Sequence, residues 1–120
     1  MDRAAVEDLF HPFGAVTIKR MFGGLGFYSG GLMFAIEAGG EIYLKTDTEN
    51  LPQFEARGLR SFSFETKRGM MVTSFRLLPE EAHEDQAELR RWCALALSAA
   101  KRAAAAKVKK NTAGQKLTRR

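Results

Sequence analysis

Cysteine is almost missing: Cys93 is the only one in 120 residues. One thiol excludes a disulfide framework and any multi-cysteine zinc site within a single chain. With no secretory signal in view, it favours a reducing, cytoplasmic setting. Histidine is scarce too, with only His11 and His83. His83-Glu84 has no second histidine to complete an HExxH zinc motif. Proline occurs three times, leaving room for long regular elements. No apolar stretch approaches the roughly 18 residues that a membrane-spanning helix requires, so no membrane partner is expected. The chain has no GxSxG and no P-loop lysine followed by Ser or Thr, which removes the strongest signatures of a serine hydrolase and a nucleotide hydrolase.

What the chain does have is apolar bulk. Hydrophobic residues make up 45% of it, nine of them phenylalanine. A chain of this length buries roughly two-thirds of its unfolded surface and needs no staple. Charge is divided unevenly. Residues 1–100 carry 11 Lys/Arg against 14 Asp/Glu, while residues 101–120 carry eight Lys/Arg and no acid. The net charge of +5 therefore describes a mildly acidic domain with a basic end. We read residues 1–107 as one domain and 108–120 as a basic, flexible tail.

Hydrophobic periodicity places the elements. Val6, Leu9, Phe10 and Phe13 follow helical spacing, so a helix is predicted over residues 3–11, with Asp2 as its cap and Pro12 and Gly14 as its end. Val16 and Ile18 alternate with Thr17 and Lys19 as in a strand. Three apolar segments follow, separated by Gly30-Gly31 and Gly39-Gly40. Connections this short join only antiparallel neighbours. A short helix is predicted over about 50–57, capped by Asn50 and closed by Gly58. Phe62 and Phe64 alternate with Ser61, Ser63 and Glu65, and a turn at Lys67-Arg68-Gly69 leads into Met71, Thr73, Phe75 and Leu77. Pro79-Glu80-Glu81 reads as a helix start, and Asp85 with Glu88 as a second, capping-box-like start. Leu89, Trp92, Cys93, Ala96, Ala99, Ala100 and Ala103 share one face of the helix that follows. This helix is expected to end near Lys107.

The predicted fold class is α+β: a two-layer domain with an antiparallel sheet of five to six strands and helices mainly on one face. The element order is one helix, three or four strands, a helix, two strands and a long helix. The other sheet face must meet water or another subunit. Phe22, Phe27, Tyr28, Phe34, Tyr43, Phe62, Phe64 and Phe75 exceed what one small face needs. A homodimer is expected on that ground.

Candidate chemistry is thin. Gly24-Leu25-Gly26-Phe27-Tyr28-Ser29 nearly matches GxGxxG, but a dinucleotide fingerprint needs a helix next, and another strand follows. These glycines read instead as positions of positive φ or close strand approach. A small-ligand site at the glycine-rich loop stays open as an alternative, with Arg20 as its cation. Cys93 falls on a buried helix face without an activating base. Ser98-Ala99-Ala100-Lys101 matches SxxK with none of its companion motifs. His83 lies among Glu80, Glu81, Glu84 and Asp85, a cluster that reads as a helix start rather than a metal site. No cofactor or metal is expected. The basic residues Lys101, Arg102, Lys107, Lys109, Lys110, Lys116, Arg119 and Arg120 are candidate phosphate contacts for DNA or RNA. With no aromatics between them, any binding would be sequence-independent and salt-sensitive. A solubilising tail is the alternative.

The strongest signal is Arg20-Met21-Phe22-Gly23-Gly24, with Gly26 and Tyr28. Met33-Phe34, Leu44-Lys45, Asp47, Phe54, Gly58, Phe64, Pro79 and Trp92 follow in order. With this set the chain resembles the N-terminal domain of the TfoX/Sxy family of bacterial competence regulators, in stand-alone form, over roughly residues 3–105. The resemblance implies a secretion-chaperone-like α+β fold, commonly dimeric. It also implies a link to transcription regulation and competence, and no catalysis. It supplies no catalytic residues. The expectation is a non-enzymatic regulatory or interaction module with an unidentified protein partner.

Overall fold

The computed structural model describes residues 3–21 and 23–118, with side chains as far as Lys109. Asp2, the expected first cap, and Phe22 lie outside the described residues. Helix α1 (Arg3–Phe10) runs into a 3-10 turn at His11–Phe13. Four strands follow: β1 (Thr17–Met21), β2 (Gly24–Ser29), β3 (Leu32–Ala38) and β4 (Glu41–Lys45). Helix α2 (Leu51–Ala56) precedes a hairpin of β5 (Ser61–Thr66) and β6 (Gly69–Leu77). A 3-10 turn at Glu80–His83 leads into the long helix α3 (Gln86–Thr118).

The six strands form one fully antiparallel sheet in the order β1-β2-β3-β4-β6-β5. This is the predicted α+β architecture. Its first four strands are a meander because Gly30-Gly31 and Gly39-Gly40 adopt positive φ at both turn positions, the geometry that a two-residue hairpin requires. The swap at the far edge comes from β6, which pairs with β4 and leaves β5 outermost.

One irregularity shapes the core. Phe27 pairs with Ala35 but Tyr28 pairs with Met33, so Phe34 is an extra residue in β3. This bulge breaks the alternation and lets Phe34 and Ala35 both be buried. Phe34 then meets Phe10 at 5.8 Å and Phe13 at 5.2 Å, while Phe10 meets Phe27 at 4.7 Å between ring centroids. The N-terminal helix is thus fastened to the sheet by aromatic rings.

α3 covers β3 and β4 with Leu89, Trp92, Cys93, Ala96, Ala99 and Ala100. Its small residues let the helix lie close to the sheet. Ala103, expected on this face, is exposed, because by that point the helix has passed the sheet's edge. The helix also continues beyond the expected end near Lys107, to Thr118; alanines 103–106 and the lysines after them are strong helix formers. Asp85 caps it as predicted, its carboxylate accepting the Ala87 and Glu88 N–H groups. Glu88 does not complete the capping box. Its carboxylate accepts the Trp92 indole N–H at 3.1 Å and pairs with Arg91. That satisfies the polar end of the buried Trp92 ring, which packs edge-on against Phe54 of α2 at 4.9 Å.

Asn50 also acts differently from expectation. It occupies the N-cap position of α2 without a capping hydrogen bond. Its side chain instead accepts the Asp47 N–H and donates to the carbonyls of Lys45 and Leu95. Asn50 is therefore a buried connector that ties the end of β4 to α3.

Candidate functional site

The glycine motif is a strand crossing. Gly24 pairs with Met21, and Gly26 faces Lys19 on one side and Ile36 on the other. Gly23 turns the chain with φ of +79°. Gly24 is glycine for a different reason: a β-carbon there would run into the Glu37 carbonyl oxygen. At Gly26 a β-carbon would meet the sulfurs of Met21 and Met33 and the Tyr28 ring. The glycine-loop ligand reading loses its basis here, since strand pairing occupies these residues. The shallow depression beside them is lined by Met21, Gly23, Gly24, Ile36, Glu37 and Phe62. Arg20 takes no part in it. Arg20 is exposed on β1, with no ion pair among the described residues.

The side chains around Gly26 mark the sheet face that no helix covers. Met21, Tyr28 and Met33 meet there, with Ile36 beside them. Tyr43 lies next to Phe62 at 5.1 Å, and Phe62 next to Phe64 at 5.8 Å, forming an aromatic row toward the β5 edge. Cations lie on these rings: Lys19 over Tyr28, Arg60 over Tyr43, and Lys45 over Phe75. Such contacts hold the aliphatic stems of Lys and Arg against apolar surface and leave the charges outward. The row ends in open solvent, with Phe64 44% exposed.

The hairpin beyond it is barer. β4 pairs with β6 only at Phe75, Arg76 and Leu77, while the stretch from Gly69 to Val72 pairs with β5 alone. The outer half of the hairpin is a two-stranded ribbon. Phe64 and Met71 share one of its faces; Met70 and Val72 lie on the other. All four are exposed, Met70 and Val72 at 64% each.

The basic end of the chain divides. Arg102 is engaged, with Nε 2.6 Å from Asp47 Oδ2 and the same distance from Glu49 Oε2. This guanidinium is held by two carboxylates, so a phosphate would have to compete with Asp47 and Glu49 for it. Its bond to Asp47 holds that carboxyl down to about 2. Lys101, Lys107 and Lys109 are exposed on α3. The side chains of Lys110 and Lys116, and the whole of Arg119 and Arg120, lie outside the described residues. The Asp47–Arg102 pair escaped sequence reasoning. Its one signal was an acidic loop far from a lysine-rich helix, which does not specify contact.

The remaining titratable candidates are quiet. Cys93 is buried, and desolvation pushes its thiol up to about 12, so it is a packing residue. His83 and Glu84 line a shallow depression with Asp8. Among the described residues, no group of three His, Cys, Asp or Glu is placed to hold a metal. Among the same residues, no helix is long and apolar enough to cross a membrane.

The architecture is that of a small α+β domain with one helix-covered sheet face and one open face rich in methionine and aromatic rings. The family model of the TfoX N-terminal domain matches residues 8–100, and the chain belongs to that family. No curated protein matches the sequence significantly. The matched span includes the glycine crossing, the bulge at Phe34, the Asp47–Asn50 loop and Trp92.

Proposed function

We propose that this protein is a non-enzymatic regulatory module, working in the cytoplasm as a homodimer and acting on transcription through a protein partner. The observation that carries this reading is the open sheet face. Tyr43, Phe62 and Phe64 form a row that runs off the edge of the sheet, and Met21, Met33 and Tyr28 fill its other end. Aromatic and methionine side chains of this kind are enriched at protein interfaces. Membership of the TfoX N-terminal family supports a regulatory, competence-type role. The test is a comparison of transcripts in the native host. A strain lacking the protein should show altered expression that the wild-type chain restores and the Phe64→Glu chain does not. Unchanged transcripts, or a measured turnover by the purified protein, would reject the reading.

A second reading has nucleic acid as the partner. Lys101, Lys107 and Lys109 stand exposed on α3, and each phosphate neutralised releases counterions. Removing residues 107–120 should then abolish DNA or RNA binding, and the affinity should fall steeply with salt. Binding that survives the deletion, or that ignores salt, would sink it.

A further inference from the structure

The ribbon at the outer end of β5–β6 is poorly protected, with Met70, Met71 and Val72 each more than half exposed. An isolated two-stranded hairpin is marginal in water. Here residues 69–72 of β6 have β5 on one side and no strand on the other among the described residues. No helix packs substantially on either face. The free stretch, Gly69-Met70-Met71-Val72-Thr73, contains no charge and no proline, the devices that normally keep an edge from pairing.

The other edges differ. β1 carries Lys19 and Arg20, so most registers of two β1 strands would oppose like charges. β5, the outermost strand at the far edge, carries Glu65, a charge that the β6 stretch lacks. Among these edges of the described residues, the β6 stretch alone carries no charge, and it is self-complementary. Antiparallel pairing about Met71 sets Met71 opposite its own copy and Met70 opposite Val72. Phe64, which pairs with Met71 in β5, would then flank a two-fold cluster of Met71 and Phe64 side chains. The second face would bury both copies of Met70 and Val72.

We propose that two copies of this chain join through residues 69–73 of β6, across a two-fold axis at Met71, into one continuous sheet. A two-fold contact closes on itself and uses the patch fully, whereas head-to-tail pairing of unlike edges would propagate into fibres. This proposal rests on the homodimer reading above and names its interface.

The test uses the full chain and light scattering with sedimentation. The wild type should be a dimer. Met71→Glu and Met71→Lys each place like charges face to face on the axis, and each should weaken self-association on the order of a hundredfold. Mixing the two variants should restore a dimer of one copy of each. Met71 is exposed, so both variants should keep the wild-type Trp92 fluorescence and circular dichroism. As an independent readout, Met71→Cys should form a disulfide-linked dimer under mild oxidation. Thr17→Cys on β1 and Ser63→Cys on β5 should not, and buried Cys93 leaves the introduced thiol as the reactive one. A monomeric wild type would overturn both the interface and the homodimer. A dimer that persists in Met71→Glu, or that cross-links through Thr17→Cys or Ser63→Cys, would overturn the interface alone. A wild type that stays monomeric until another protein or a single-stranded nucleic acid is added would assign the ribbon to that partner instead. None of these outcomes depends on the transcript experiment.

Discussion

Arg102 on α3 grips Asp47 in the loop after β4 with two hydrogen bonds, Nε to Oδ2 at 2.6 Å and Nη2 to Oδ1 at 2.9 Å. Fifty-five residues separate the pair in sequence. Asp47 also accepts the N–H groups of Glu49 and Asn50, so one carboxylate both shapes a turn and receives the helix. Asn50 completes the joint by donating to Leu95 O. The long helix is thereby fixed against the sheet at the point where it leaves the folded body.

The joint has a pH signature. The Arg102 hydrogen bond, aided by the backbone donors, lowers the Asp47 carboxyl from 3.8 to about 2. A depressed carboxyl contributes stability that is complete above its unfolded value and is lost as pH falls through the folded one. Asp47→Asn should therefore lower the melting temperature at pH 7. The gap to wild type should shrink between about pH 4 and pH 2. Thermal scans across that range check it; a gap that stays constant down to pH 2 would remove Asp47 as its source.

Asn50→Ala leaves the Lys45 and Leu95 carbonyls without their side-chain donor in a site only 2% exposed. The expected loss is about 2 kcal/mol in chemical denaturation. An effect within a few tenths of a kcal/mol would show that water replaces the side chain at no cost.

The two inner glycines of the motif should respond differently. Gly24→Ala forces a β-carbon onto backbone, the Glu37 carbonyl, and should destabilise strongly or prevent folding. Gly26→Ala meets mainly the ends of Met21 and Met33, which have several rotatable bonds and can move aside. It should fold with a smaller loss. Equal losses in parallel denaturation curves would contradict the assignment of these two contacts.

Cys93 should be silent toward thiol reagents in the native state, because burial raises its pKa to about 12 and the thiolate is the reactive form. Labelling should follow global unfolding in denaturant. Fast native-state labelling at neutral pH would show that the helix–sheet contact opens.

Much of the fold was legible from local pattern. Strands β1 to β4 were marked by alternation and by glycine pairs that permit only tight antiparallel turns. Helix α3 was marked by the spacing of Leu89, Trp92 and Ala96 and by the Asp85 cap. These features depend on residues a few positions apart. Where sequence reasoning missed, another contact had overridden the expected role: one helical turn away at Glu88, and across the fold at Asn50 and Arg102. Glu88 turned from its capping role to the Trp92 indole. Asn50 gave up its cap to accept the Asp47 N–H within its own loop and to donate to the Leu95 carbonyl on α3. Arg102 left the set of free cations for Asp47.

By itself the sequence determined the type and order of the elements, the antiparallel sheet and the family, because periodicity, turn glycines and motif order are properties of neighbouring residues. Only the tertiary structure decided that β6 lies inside β5, that Phe34 joins the core through a bulge, and that the Met70–Val72 stretch pairs with β5 alone. Those outcomes depend on which distant strand wins a hydrogen-bonding edge, a competition that no short window of sequence contains.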